Sequence, residues 1–264
     1  MIKSEDPSMK ESEYLINTLG WYLFEKTIPF SLLNRLRDDL DTVYEKRREI
    51  QIKNGIGNEM SGTCHHLLGE NNSMDELITS LLLDDFIKNF FGGPYVLNSF
   101  GAFINQPNDT AYVSKIHKDI RTFSGDFRLL LNVLIMLDDF TLENGATYIF
   151  SGSHHLNEKP PEKIFYQHAA RAIGKAGDVL VFNSNLWHAA GENTTHQVRR
   201  GLTLTFSRPF LKQQIDFPRF LSTEYASKLS EPVRQVLGYN ARMPATLDEY
   251  YQPRELRTYK ANQG

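Results

Sequence analysis

The chain has 264 residues, of which 41% are hydrophobic and 23% are charged, and its net charge is −3 at pH 7. These values are typical of a globular protein that buries a core, and they argue against a disordered chain. Because there is no excess of positive charge to hold a phosphate backbone, nucleic acid is not an expected partner.

The N-terminal residues and the single cysteine predict a cytoplasmic protein. Residues 1–14 lack the apolar run of a signal peptide, and Cys64 has no second cysteine for an intramolecular disulfide. The longest apolar run, Leu129 to Leu137, is too short to cross a membrane and contains Asn132. We therefore expect no membrane association.

The first third of the chain has helical patterns. Apolar residues at spacings of three and four between residues 29 and 50 predict an amphipathic helix, with Ser31 as a possible cap. The residues of this apolar face are Leu32, Leu33, Leu36, Leu40 and Val43. Two further helices are predicted over residues 74–83 and 85–91, ended by Gly92, Gly93 and Pro94.

From residue 95 onward, short runs of β-branched and aromatic residues alternate with turn-forming clusters, which predicts strands. The predicted strands cover residues 95–105, 127–137, 146–150, 178–182 and 202–208. Strands at this spacing, without helical patterns between them, favour a β-rich α+β fold with an antiparallel jelly-roll core and N-terminal helices packed outside. We expect one domain over 1–264, with a helical buttress to about residue 94, the jelly roll to about 210 and a C-terminal extension.

His117 and Asp119 stand two residues apart in the stretch SKIHKDIR. In an extended segment, alternate side chains point to the same side, so this imidazole and this carboxylate converge on one point where a metal ion fits. A surface turn with a His–Asp hydrogen bond explains the pair alone at least as well. A metal site therefore needs a third ligand.

His188, which follows the strand-like run GDVLVF, is the candidate third ligand. Two imidazoles and one carboxylate on one face of an octahedral ion leave three positions open, which suits Fe(II) oxygen chemistry better than tetrahedral zinc.

Arg199 follows at the start of the strand-like run RRGLTLTF, where its planar guanidinium suits the far carboxylate of 2-oxoglutarate. A register slip of one residue would put Arg200 there instead.

Among the other polar residues, Asn132 has two interpretations, and no role at the metal site is expected for the histidines other than His117 and His188. Asn132 interrupts a buried strand, where its amide either contacts the cosubstrate or ties backbone groups together. His154 and His155 are expected to serve the loop that contains them. The remaining histidines resemble surface histidines, and these are His65, His66, His168 and His196.

Together, HKD, then ENGA with GSHH, then WHAAGEN with RR resemble the phytanoyl-CoA dioxygenase family of Fe(II)/2-oxoglutarate oxygenases over most of residues 15–210. The resemblance implies a double-stranded β-helix and Fe(II) held by His117, Asp119 and His188. It also implies that Arg199 binds 2-oxoglutarate, while Asn132 is a further candidate for cosubstrate binding. Halogenases of this broad family have a small residue in place of the carboxylate ligand, so Asp119 favours hydroxylation over halogenation.

The expected activity is therefore hydroxylation of a small-molecule metabolite, using O₂ and releasing succinate and CO₂. Two other functions stay open from the sequence. One is a cupin-like zinc or manganese hydrolase or isomerase with the same ligands, and the other is a non-catalytic jelly-roll binding protein. The sequence indicates neither the substrate nor the oligomeric state.

Overall fold

A computed structural model describes residues 7–107 and 114–263 of the chain. The described residues form nine strands and nine α-helices. The strands are Trp21–Phe24 (β1), Thr63–His65 (β2), Val96–Asn105 (β3), Leu130–Met136 (β4), Thr147–Ile149 (β5), Ala170–Ala172 (β6), Val179–Asn183 (β7), His188–Ala189 (β8) and Arg199–Ser207 (β9). The helices are Pro7–Thr18 (α1), Phe30–Lys53 (α2), Ser73–Thr79 (α3), Asp84–Phe91 (α4), Glu162–His168 (α5), Phe217–Phe220 (α6), Thr223–Ser227 (α7), Glu231–Val236 (α8) and Leu247–Tyr250 (α9).

The strands form two antiparallel sheets. The larger sheet has the order β1-β7-β4-β9-β3-β2, and the smaller one has the order β6-β5-β8. The two sheets of a double-stranded β-helix enclose a space between them, and the predicted jelly-roll core with N-terminal helices is confirmed. Every strand predicted from residue 95 onward is present, although the ends differ by a few residues.

Alternation along the strands divides the apolar residues between two cores. On β4, Leu131, Val133 and Ile135 belong to the core that packs against the helices. Leu134 and Met136 point the other way, into a smaller core between the sheets. The inner face of the large sheet is thus available to line a cavity.

The N-terminal third is less purely helical than predicted. It contributes β1 and β2, which form the two edges of the large sheet. The prediction of a cap at Ser31 is wrong, because α2 begins at Phe30 and Pro29 occupies the cap position without a side-chain hydrogen bond. The predicted helix over 74–83 ends earlier, at Thr79. The predicted C-terminal extension contains four short helices, α6 to α9, among the described residues.

Candidate metal and cosubstrate site

The three sequence-predicted metal ligands lie together in the structure. His117 and His188 face each other in an antiparallel bridge, with reciprocal backbone hydrogen bonds of 3.0 Å. His117 Nε2 is 3.4 Å from one oxygen of Asp119, and His188 Nε2 is 3.5 Å from the other. One candidate ligand atom from each residue lies within 4.8 Å of the others. This spacing brings all three side chains within reach of one ion.

Local turns fix the orientation of both imidazole rings. His117 Nδ1 lies 2.7 Å from the carbonyl of Lys115, and His188 Nδ1 lies 3.0 Å from the carbonyl of Leu186. Because a carbonyl oxygen only accepts, each Nδ1 carries the proton and each Nε2 keeps a free lone pair. Backbone carbonyls commonly hold metal-binding histidines in this way. The Nε2 atoms that face Asp119 are therefore the candidate ligand atoms.

Charges at the site favour an ionised Asp119 carboxylate beside a neutral His188. Burial raises the pKa of Asp119, but the two imidazoles outweigh this effect and the net pKa falls below its usual value. Burial lowers the pKa of His188 to about 4, so this imidazole is neutral at pH 7. Burial also lowers the pKa of His117, but the attraction and hydrogen bonding that Asp119 and the carbonyl of Lys115 offer the protonated ring together outweigh it, and the net shift is upward. The carboxylate remains 34% exposed, at the edge of a cavity.

Asn132 connects the carboxylate to the large sheet. Its Nδ2 donates to Asp119 Oδ2 at 2.7 Å, and its Oδ1 accepts from Thr205 Oγ1 at 2.9 Å. The side chain therefore orients Asp119 through β4 and β9. Contact between Asn132 and a cosubstrate stays a prediction.

Arg199 and Arg200 point to opposite faces of β9. Arg200 donates to both carboxylate oxygens of Asp138, with Nε and Nη2 at 3.0 and 3.1 Å. Arg199 is 0% exposed, and its guanidinium lies between the rings of Phe103 and Phe140, at 4.9 and 4.1 Å from their centroids. Of the two, Arg199 is the one directed into the space between the sheets.

No hydrogen-bond partner reaches Nε, Nη1 or Nη2 of Arg199 within the described residues. Burial lowers its pKa to about 9, which reflects the cost of a desolvated charge. An unpaired buried cation is unfavourable, so a carboxylate bound here would compensate for it. Phe103, one of the two rings against the guanidinium, also lines the cavity that contains the metal ligands. These residues fit both a metal ion and a dicarboxylate.

Two of the four histidines that were predicted to be surface residues, His65 and His66, are partly buried. His65 is not a surface residue, because it lines the same cavity as the metal ligands. His66 is half-buried, and the ring nitrogen Nδ1 has no partner among the described residues. His154 Nε2 donates to the carbonyl of Asn17 at 3.1 Å, and so serves the loop as predicted. The alternation of Thr63, Cys64 and His65 was too short to indicate a strand.

The phytanoyl-CoA dioxygenase family profile matches residues 23–201 of this chain. The chain belongs to the phytanoyl-CoA dioxygenase family. An uncharacterized protein of Mycobacterium tuberculosis is 37% identical over 172 residues, which are 64% of this chain and 61% of that relative. The chain thus spans about three fifths of the length of this relative and of a Mycobacterium bovis protein with the same identity and coverage.

Two solved structures agree with this family fold. HygX from Streptomyces hygroscopicus, solved with nickel and 2-oxoglutarate, has a TM-score of 0.60 at 15% identity and matches 77% of this chain and 88% of its own. The α-ketoglutarate-dependent epimerase SnoN from nogalamycin biosynthesis has a TM-score of 0.57 at 15% identity, over 76% and 82% of the two chains. At these identities the similarity shows the fold alone. The part of the chain that the structure describes contains no helix long and apolar enough to span a membrane.

Proposed function

We propose that this member of the phytanoyl-CoA dioxygenase family is an Fe(II)- and 2-oxoglutarate-dependent oxygenase that hydroxylates a small-molecule metabolite. The observation that carries the proposal is the convergence of His117, Asp119 and His188, whose candidate ligand atoms lie within 4.8 Å of one another. Two imidazoles and one carboxylate suit Fe(II) and leave coordination positions for a cosubstrate and O₂.

Each of the three ligand side chains has a hydrogen bond that fixes its orientation. The carbonyls of Lys115 and Leu186 orient the two imidazoles, and Asn132 orients Asp119. Such hydrogen bonds reduce the freedom that a ligand loses when it binds a metal ion, and they keep the Nε2 lone pairs aimed at one point. The protein contributes a preformed ligand set and a cavity of about 370 Å³.

Arg199 supports 2-oxoglutarate as the cosubstrate. Its buried guanidinium offers several N–H donors without a protein acceptor, and one carboxylate can take two of them. A hydrolase or isomerase with the same metal ligands, or a binding protein without a cosubstrate, leaves this cation without a role. The dicarboxylate therefore explains both the metal ligands and the arginine.

The bound iron and 2-oxoglutarate supply the chemistry, in which one oxygen atom of O₂ enters succinate with loss of CO₂ and the other enters the substrate. The chain's own residues bind and orient these groups. Asp119 supports hydroxylation over halogenation, since it fills the position that a halide would need. SnoN has this fold and is an epimerase, so its reaction differs from hydroxylation. Oxygenase activity is therefore the general part of the proposal, and hydroxylation is the more specific part.

The test is formation of succinate from 2-oxoglutarate in air by metal-free protein to which Fe(II) is added. We expect iron-dependent succinate with the wild-type protein and a loss of at least 100-fold with His188→Ala or Asp119→Ala. Exposed His196→Ala is the matched control and should retain wild-type turnover. Iron bound at the three ligands without iron-dependent binding or turnover of 2-oxoglutarate would contradict the proposal.

A further inference from the structure

The cavity extends well beyond the metal ligands. His65 on β2 pairs with Gly101 on β3, Gly101 pairs with Thr203 on β9, and Thr203 pairs with Leu134 on β4. Three strand spacings, roughly 14 Å, separate β2 from β4 along the sheet. Asn132, which contacts a metal ligand, lies two residues along β4 from Leu134. His65 therefore lies on the cavity wall three strands away from the strand that carries Asn132.

Four polar side chains of the cavity wall, other than the metal ligands, have free hydrogen-bonding capacity. The side chains of His65, Ser99, Thr203 and Gln214 line the cavity and form no hydrogen bond with any group in residues 7–107 and 114–263. Polar groups on an inner wall normally have a partner, so water or a ligand must serve these four. We call these four residues the polar wall of the cavity.

The polar wall carries no formal charge. Apart from the three metal ligands, His65 is the only ionisable side chain among the described residues that line the cavity. Burial lowers the pKa of His65, which is therefore neutral at pH 7. Under the proposed function the guanidinium of Arg199, which lies against Phe103, is taken by the cosubstrate. A carboxylate or phosphate group placed here would then lose its water without gaining a cation, which is costly. A neutral hydroxyl or carbonyl group has no such penalty.

The position of the His65 ring depends on the glycine beside it. An added Cβ at Gly101 would lie 2.8 Å from His65 Nδ1, so a side chain there would collide with the ring. The two residues are cross-strand neighbours on the same face of the sheet. The imidazole therefore occupies the space that Gly101 leaves free, and a neutral imidazole both donates and accepts a hydrogen bond.

We propose that the polar wall binds an uncharged, hydroxyl- or carbonyl-bearing part of the substrate, with His65 as a specificity-determining residue. The inference rests on the proposed function, because it takes the metal ligands as the place of reaction. It gives a substrate class of neutral, oxygen-rich molecules long enough to reach from His65 to the metal ligands. Substrates with a phosphate, carboxylate or coenzyme A group at this wall are excluded.

The test is ligand-observed saturation-transfer NMR on the full-length protein, prepared metal-free and then loaded with Zn(II) and 2-oxoglutarate, so that the guanidinium of Arg199 cannot pair with a probe carboxylate. The two probes are methyl β-D-glucopyranoside and D-glucuronate, which share a hydroxylated ring and differ in the presence of a carboxylate. We expect the neutral probe to bind at least tenfold more tightly than the charged one. His65→Ala should weaken binding of the neutral probe at least fivefold, whereas His65→Gln, which still donates and accepts, should retain most of it. Exposed His168→Ala is the control.

Three results would overturn the inference: D-glucuronate binding as tightly as the glucoside, no binding of the glucoside to the wild type, or unchanged binding by His65→Ala. If thermal unfolding shows that His65→Ala is not folded, the inference is tested by comparing the binding of the neutral and the charged probe to the wild type and to His65→Gln. The Fe(II)·2-oxoglutarate absorption band, measured on the same metal-free preparation loaded with Fe(II) instead of Zn(II), separates the two proposals. A band together with a failed NMR test overturns only this inference, and a missing band overturns the proposed function.

Discussion

The buried charge of Arg199 lowers the stability of the protein but favours the binding of a carboxylate. In the metal-free protein its guanidinium is buried and unpaired within the described chain, and only aromatic contacts compensate for its desolvation. We expect Arg199→Met to raise the free energy of unfolding by about 1–3 kcal/mol, because an apolar side chain replaces an unpaired buried charge. Urea denaturation with and without Fe(II) and 2-oxoglutarate measures the effect, and stabilisation by these ligands should be lost in the variant.

Arg200→Met is the matched control for this prediction. Arg200 is bonded to Asp138, so its removal should lower the free energy of unfolding by about 1–2 kcal/mol and leave stabilisation by 2-oxoglutarate intact. If Arg199→Met is less stable than the wild type, the guanidinium has a structural partner and the argument for a carboxylate site is wrong.

Asn132 gives a second prediction for a single residue. Since its amide donates to Asp119, Asn132→Ala should lower Fe(II) affinity by about 10- to 100-fold through loss of the oriented carboxylate. Competition with a fluorescent chelator measures this affinity. Thr205→Val removes only the hydroxyl that holds the other end of the amide, so a smaller loss is expected. Wild-type affinity in Asn132→Ala would show that Asp119 needs no such support.

The sequence was informative where ligands are close neighbours and uninformative where contacts depend on strand register. The two-residue spacing of His117 and Asp119, together with the family resemblance, was enough to predict the cluster that the structure contains. The approach of His65 to the same cavity follows from β2–β3 pairing. Nothing in the residues around position 65 specifies that pairing.

At the level of secondary structure, the predictions were best for the long periodic segments. The apolar stripe of α2 and five of the seven strands that the described residues form after residue 95 were predicted because their patterns are sustained over several residues, whereas the three-residue β6 and the two-residue β8 were not predicted. The edge strands β1 and β2 were missed, since runs of four and three residues contain too little alternation. These strands belong to the sheet through their pairing with β7 and β3, which is a tertiary property.

The segment just after β2 predicts a pH dependence of stability. His66 follows β2 with a φ of 59°, and burial lowers its pKa from 6.5 to about 4. Below pH 6.5 the unfolded chain therefore binds a proton that the folded chain does not, so stability falls between pH 6.5 and about 4 and is unaffected above pH 6.5. His66→Asn, which tolerates positive φ, should reduce this fall in urea denaturation series. An unchanged pH dependence would contradict the assignment.

At the scale of the whole molecule, the C-terminal segment shares the main core. Phe217, Val233 and Leu237 belong to the same buried cluster as Leu36 of α2 and Leu204 of β9. We propose on this ground that residues 1–264 fold as one domain. The sequence predicted only a C-terminal extension, because its short, interrupted helices show no sustained apolar period.

Phe217→Ala tests this single domain. Phe217 is 0% exposed, so its truncation should lower the free energy of unfolding by about 3–5 kcal/mol while one cooperative transition persists. Phe220 lies in the same short helix and is 45% exposed, so Phe220→Ala is the control, with an expected loss below about 1 kcal/mol. A separate early transition, with the remaining protein unaffected, would show that the C-terminal segment folds independently.

The most direct measurement for the whole account is an anaerobic titration of the metal-free protein with Fe(II) and 2-oxoglutarate, monitored by the weak visible metal-to-ligand charge-transfer band. The account predicts a saturable band with the wild type, no band with His188→Ala, and a band that needs at least tenfold more 2-oxoglutarate with Arg199→Met. Iron bound by the wild-type protein without any such band would contradict the account.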